Sequence, residues 1–417
     1  MDSILFRNLA LLDTVAGELR GGMQVLVRDG RIASVGPQGG HVAGARVVDL
    51  GGRTLMPGMI DLHVHVMAPG RGRTTVSPDK LPSYVDIHST LVMREFLMRG
   101  FTTVRDAAGA DRGHKMAVED GLVAGPRMFV SGRALSQTGG HGDPRSRGDL
   151  VEPCVCCAHL NTGCCRIADG EPDVRKAARD EIRLGADQIK VMASGGVVSE
   201  ADPIDYVQYS MAELKAIVDE AERANTYVLA HAYTGRAIER CVEAGIRTIE
   251  HGNFLDEKSA RMMSEAGAYL VPTLVAYEVL VEMGKQLNLT QAQWDKVNAI
   301  VESGTRSIEI AQRYGVKMGL GSDLVVKSTA AQPRELLIRA RALKPADILR
   351  SATVVGAEVV RMPGRLGVVA EGAFADLLAV DGNPLEDLSL LGDEGRHLAL
   401  IMKGGRVFKD GLGLGPG

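Results

Sequence analysis

The chain has 417 residues, 45% of them hydrophobic, enough to bury a large core and more than one domain usually needs. A net charge of −4 with acids and bases interspersed gives no basic stripe for nucleic acid or an anionic membrane surface. No apolar run reaches the length of a membrane span, so a small-molecule enzyme is the class to test.

The first fifty residues predict short strands at 3–6, 23–27, 31–35 and 45–50, separated by turn residues such as Arg28-Asp29-Gly30 and Gly36-Pro37-Gln38-Gly39-Gly40. The pattern then changes. Apolar runs at 58–65, 101–106, 127–132, 187–193, 227–233, 247–251, 268–273 and 316–322 read as strands. Helical periodicity covers 84–99, 171–185, 211–225, 234–244, 256–266 and 289–314. Eight strands alternating with helices predict an α/β fold, a parallel (β/α)8 TIM barrel, with its chemistry at the C-terminal strand ends. Short strands return at 375–380, 398–402 and 406–408, so both chain ends are expected to join in one small β-sandwich. The expected division is 1–56 and 363–417 for the sandwich and 57–362 for the barrel, followed by a disordered Gly-rich tail at 411–417. The Met1–Arg7 segment lacks a basic-then-apolar leader, and the cysteines lack disulfide spacing. Both point to the cytoplasm.

Potential ligands fall at the ends of the apolar runs. His63 and His65 close the first, two residues apart on one strand face, where both imidazoles can reach one borderline divalent ion such as zinc. Lys190 lies in Gln188-Ile189-Lys190-Val191-Met192-Ala193. In isolation such a lysine snorkels or pairs with an acid. A buried ammonium is costly, whereas a neutral amine can take up carbon dioxide and become a carbamate able to bridge two metals. His231 and His251 end the next two strands and could hold the second ion. Asp323 follows Gly319-Leu320-Gly321-Ser322 and reads either as a helix N-cap or as a ligand that exchanges a proton with the attacking water.

These motifs resemble the amidohydrolase superfamily: Leu55-Met56-Pro57-Gly58, Asp61-Leu62-His63-Val64-His65, the strand-four Lys190, the two later histidines and Asp323. Lys190-Val191-Met192-Ala193-Ser194-Gly195-Gly196 and Glu250-His251-Gly252 are similar to the imidazolonepropionase-like branch that contains zinc prolidases. The resemblance implies a binuclear zinc centre, two Zn2+ per chain, held by His63, His65, N6-carboxylated Lys190, His231, His251 and Asp323. Imidazolonepropionase itself uses no lysine there and one metal, so Lys190 argues against that activity.

Catalysis is then expected from Asp323 and from His141, a donor to the reacting carbonyl in the Gly-rich loop Gln137–Gly142 that otherwise reads as a surface residue. Tyr233, two residues past His231, is expected to hold a substrate carboxylate, with Arg236 a weaker anchor on a solvated helix face. The segment Thr273–Glu278, with Tyr277, is expected to line the side-chain pocket, and with Glu278 turned away that pocket would accept proline. Cys154, Cys156, Cys157, Cys164 and Cys165 read as a loop, with a structural metal or a nucleophilic Cys154 as the minor readings. The leading function is an Xaa-Pro dipeptidase. Other dipeptides, N-acyl amino acids, an aromatic amide or a phosphotriester are alternatives on the same centre, and a non-enzymatic metal-stabilised binding barrel is disfavoured. The partners expected are a dipeptide-sized substrate and further copies of the chain, with 279–300 as an apolar interface.

Overall fold

The two chain ends meet along Thr54–Pro57, whose residues Pro57, Met56, Leu55 and Thr54 pair antiparallel with Leu377, Leu378, Ala379 and Val380. This computed structural model describes residues 3–40, 42–67, 81–145, 148, 164–197, 202–287, 289–324 and 329–414. Among them, the terminal strands form one continuously hydrogen-bonded eight-stranded sheet. Ser3–Asp13 explains the continuity. It runs antiparallel to Glu18–Arg28 and parallel to both Ala45–Asp49 and Thr54–Pro57, with register shifts around Leu9 that let one strand serve several neighbours. Phe6, Val25, Leu55, Leu377, Leu400 and Met402 share one buried cluster, so neither chain end completes this core without the other.

Between the ends, two parallel sheets carry the predicted alternation. Met59–Val64, Phe101–Asp106 and Arg127–Val130 form one. The other contains Ile189–Met192, Val228–Thr234, Thr248–Phe254 and Tyr269–Val271, extended by two short strands not anticipated, Ala134–Ser136 and Cys165–Ile167. Backbone hydrogen bonds reach between the sheets on both sides. Asp187 N donates to Val130 O (2.7 Å), Gly319 N to Leu270 O (2.8 Å) and Leu62 N to Leu320 O (2.8 Å).

The expected strand 316–322 is an extended segment with a single bridge, Met318 to Leu270. Crowding accounts for its two glycines. A Cβ at Gly319 would fall 2.3 Å from Leu62 Cδ1, and one at Gly321 would fall 2.6 Å from Val271 Cγ1 and 2.9 Å from His63 Cβ. Only bare backbone fits between the flanking strands.

The helices Pro82–Met98, Glu171–Arg183, Met211–Arg223, Gly235–Glu243, Glu257–Ala266 and Gln291–Arg313 follow the predicted spans within a few residues. Capping boxes start three of them, from Ser210 with Glu213, Asp256 with Ser259 and Thr290 with Gln293. Arg112–Glu119 and Leu274–Leu287 were not anticipated. The second begins inside the proposed pocket segment; across 279–300, Val279, Val297 and Ile300 are buried, Leu280, Met283, Leu289 and Trp294 are half-buried and Val281 is exposed. Cys154, Cys156 and Cys157 lie outside the described residues, and no helix among those described is long and apolar enough to cross a membrane.

Candidate metal centre

Strand alternation brings His63 and His65 to one face, with ring centroids 5.3 Å apart, and both are buried. Each ring is turned by its Nδ1. His63 Nδ1 donates to Glu250 Oε2 (2.8 Å) and His65 Nδ1 to the Ala108 carbonyl (2.8 Å). Their Nε2 atoms then point at Asp323 Oδ1, at 3.5 and 3.1 Å. Fixing one nitrogen this way frees the other as a ligand.

Glu250 is held in turn. Arg105 Nη2 donates to both its oxygens (2.8 and 2.9 Å), Thr248 Oγ1 donates to Oε1 (2.6 Å), and Arg105 Nε donates to the Leu62 carbonyl (2.7 Å). Both charged side chains are fully buried. On the opposite flank Asp61 accepts from His63 N (3.0 Å), Ser322 N (3.2 Å), Ser322 Oγ (2.6 Å) and Gln332 Nε2 (2.9 Å), and thereby ties the first strand to the segment carrying Asp323.

The later histidines complete the ring set. His231 stands with Nε2 3.3 Å from the Gly195 carbonyl, leaving Nδ1. His251 has Nδ1 engaged by Thr273 Oγ1 (2.8 Å) and Tyr277 Oη (3.1 Å), leaving Nε2. The His251 ring lies 5.0 Å from His63 and 4.6 Å from His231. His251 and Asp323 take positive φ, 73° and 49°, a conformation that costs a non-glycine residue about 1–3 kcal/mol and collects at functional sites. His63, His251 and Asp323 each offer a ligand atom, all within 4.8 Å of one another.

Lys190 is 1% exposed and, among the described residues, its amine has no hydrogen-bond or ion-pair partner. Burial pushes it below the ordinary lysine value, against the pull of the Glu250 and Asp323 carboxylates. Burial likewise holds His63 and His231 well below the usual imidazole range and His251 at about 3, which keeps their lone pairs free. For Asp323, burial favours the proton, but the neighbouring His63, the hydrogen bond to His65 and His251 overcome it and keep the carboxylate charged. The same contact lifts His65 to about 9 in spite of its burial. The neutral imidazoles of His63, His231 and His251, a carboxylate and an unpartnered buried amine are a donor set that fits divalent metal, and His65 would join it on giving up its proton.

The remaining predicted residues gather on one side of this set. The His141 ring stacks on His231 at 4.3 Å and 15°. Tyr233 stacks on His251 (5.1 Å, 16°), and its hydroxyl lies 2.7 Å from that of Tyr277. Tyr233 and Tyr277 share an apolar cluster with Val197, Val297 and Ile300, bordered by Phe254. Glu278 is taken up by Arg334 and Arg341, away from this cluster, and Arg236 is exposed. Sequence reasoning gave no role to Asp61, Arg105 or Glu250, and placed Thr273 in the pocket segment rather than against His251. The available signal was the one used for Lys190: charged residues inside apolar strands.

The amidohydrolase family profile matches residues 54–407. A prolidase solved in complex with N-methylphosphonate-L-proline is 48% identical, with a TM-score of 0.94 over 98% of this chain and 100% of that one. A Xaa-Pro dipeptidase with methionine bound in its active site is 28% identical, with a TM-score of 0.88 over 98% of this chain and 100% of that one. Ochratoxinase of Aspergillus niger is 33% identical over 87% of this chain and 77% of its own length. With the profile spanning most of its length, the chain belongs to the amidohydrolase family.

Proposed function

We propose that the protein is a binuclear zinc dipeptidase that cleaves Xaa-Pro bonds, built on a (β/α)8 barrel whose two sheets close through the 316–323 segment. The observation that carries the two-metal reading is Lys190, buried without a partner amid histidines and Asp323. As a carbamate it would join His63 and His65 on one side and His231 and His251 on the other. Two ions so held supply polarisation of the scissile carbonyl and hydroxide at neutral pH.

The chain's own groups divide the remaining work. Asp323 takes a proton from the attacking water and returns it to the proline nitrogen as the C–N bond breaks. His141 donates to the carbonyl oxygen as charge develops there. Tyr233, its hydroxyl beside that of Tyr277, donates to the free carboxylate of the substrate. The wall of Tyr277, Val197 and Val297 suits an apolar ring, and the pairing of Glu278 with two arginines leaves no carboxylate to repel it. The 48% identical prolidase supports the same substrate class. A second reading, hydrolysis of an N-acyl amino acid or aromatic amide on the same centre, draws support from the similarity to ochratoxinase.

A panel of Xaa-Pro dipeptides, other dipeptides, N-acyl amino acids and phosphotriesters, assayed on zinc-loaded protein, separates the two. Turnover highest on Xaa-Pro is expected. Strong acyl-amino-acid turnover with none on Xaa-Pro would reverse the assignment.

A further inference from the structure

Thr273 and Tyr277 stand one helical turn apart at the start of Leu274–Leu287, and both reach the same nitrogen. His251 Nδ1 lies 2.8 Å from Thr273 Oγ1 and 3.1 Å from Tyr277 Oη. The turn that carries them is held from behind by a fully buried ion pair. Val275 N donates to Glu335 Oε2 (2.7 Å), Arg339 Nε to Glu335 Oε1 (2.7 Å) and Arg339 Nη2 to the Pro272 carbonyl (2.8 Å). Tyr277 Oη also lies 2.7 Å from Tyr233 Oη. Tyr233 in turn packs between two candidate ligands, stacked on His251 (5.1 Å, 16°) and edge-on to His231 (4.9 Å, 88°), with its main-chain N–H on Ser194 Oγ (3.2 Å). Both tyrosines are 3% exposed.

The donors in this chain of groups can be put in order. A neutral imidazole that offers Nε2 as a ligand carries its one hydrogen on Nδ1, and a nitrogen so protonated donates and accepts nothing. The Tyr277 hydrogen therefore cannot go to His251, and Tyr233 Oη is its acceptor at 2.7 Å. Tyr233, already accepting from Tyr277, keeps its own hydrogen, and no other side chain among the described residues takes it. A buried hydroxyl hydrogen without an acceptor is costly, which points to a ligand oxygen at that place. We infer that Tyr277 is a positioning residue: it passes on the polarity set at His251 and so turns the Tyr233 hydrogen toward the substrate carboxylate. The inference rests on the reading of the site as one for amides with a free carboxylate, dipeptide or N-acyl amino acid alike, and not on proline.

Two measurements on zinc-loaded full-length protein test it. Neutron diffraction from deuterium-exchanged crystals locates the hydrogens without any substrate. Deuterium is expected on His251 Nδ1 and, between the two phenols, on Tyr277 Oη. Deuterium on Tyr233 Oη directed at Tyr277 would overturn the inference. A double-mutant cycle of Tyr277→Phe, Tyr233→Phe and the double variant reads the consequence, with zinc content and melting temperature checking that each is intact. Tyr277→Phe should raise KM about 3- to 10-fold with kcat within about twofold, the size of one hydrogen bond between neutral groups. In the Tyr233→Phe background the same change should cost less than about twofold, and KM for the carboxamide analogue should be the same in all four proteins. Costs that multiply, or loss of zinc from Tyr277→Phe alone, would also overturn the inference, since Tyr277 would then act without Tyr233. The cycle runs on whichever carboxylate-bearing amide of the panel is turned over, so a failed Xaa-Pro assignment leaves it readable. Turnover of none would remove the carboxylate reading itself, while the deuterium positions still decide the order of the donors.

Discussion

Lys190 illustrates how burial converts an ordinary side chain into a reagent. Burial lowers the Lys190 amine from its usual value and so favours the neutral form that reacts with carbon dioxide, against the pull of the Glu250 and Asp323 carboxylates. Lys190→Ala should abolish turnover and lower bound metal from two ions per chain to one or none, read by elemental analysis, with formate restoring part of the activity. Tyr233→Phe removes one hydrogen bond to a charged group, worth about 1.5–3 kcal/mol. KM for a dipeptide should rise about 10- to 100-fold, while the carboxamide analogue of that dipeptide should show no change between the two proteins. Lys190 was legible because its type is rare in apolar strands, and Tyr233 because it lies two residues past His231. Glu250 and Arg105 carry the same signal, but a sequence does not reveal that two charges 145 positions apart meet. Arg105→Met would leave Glu250 buried and uncompensated, at a cost of about 3–5 kcal/mol in urea unfolding. It should also loosen the His63 ring and weaken metal binding about 10- to 100-fold.

At the scale of single elements, long amphipathic helices with caps could be read and short ones could not. Arg334–Arg339, Pro345–Ser351 and Val354–Val359 have six or seven residues each, too few for periodicity to stand out. Leu274–Leu287 escaped for a different reason: it is apolar on most faces and follows a buried strand, so it read as pocket lining. Between Glu171–Arg183 and Met211–Arg223 lies an ion-pair network with a pH signature. The Arg179 hydrogen bond and that of Arg175 hold the Glu220 carboxyl at about 2, against an ordinary value of 4.5. A carboxylate with a lowered folded-state pKa stabilises above its unfolded value and loses that contribution as pH falls toward the folded one. Glu220→Gln should therefore melt lower than wild type at pH 7, by the equivalent of about 1 kcal/mol. The gap should shrink as pH is lowered from 5 and close as it approaches 2. A constant gap would mean that the pairs contribute nothing.

For the whole molecule, alternation of strands and helices made the fold class legible, and the similar turn chemistry of the two ends foretold that they would join. That they make one continuous sheet was not readable, because it depends on bulges around Leu9 that let Ser3–Asp13 pair with three neighbours. The same limit applies to the 316–323 segment, where Gly319 and Gly321 admit bare backbone between Leu62, His63 and Val271 and set Asp323 at a positive φ. The proposed chemistry requires one arrangement: two metal ions, one on either side of Lys190, acting on an amide bond next to proline. Titrating metal-free protein with zinc in the presence of bicarbonate, while following Xaa-Pro hydrolysis, tests it most directly. Activity should rise until two equivalents per chain and then level off. Saturation at one equivalent, or no hydrolysis at any zinc concentration, would contradict it.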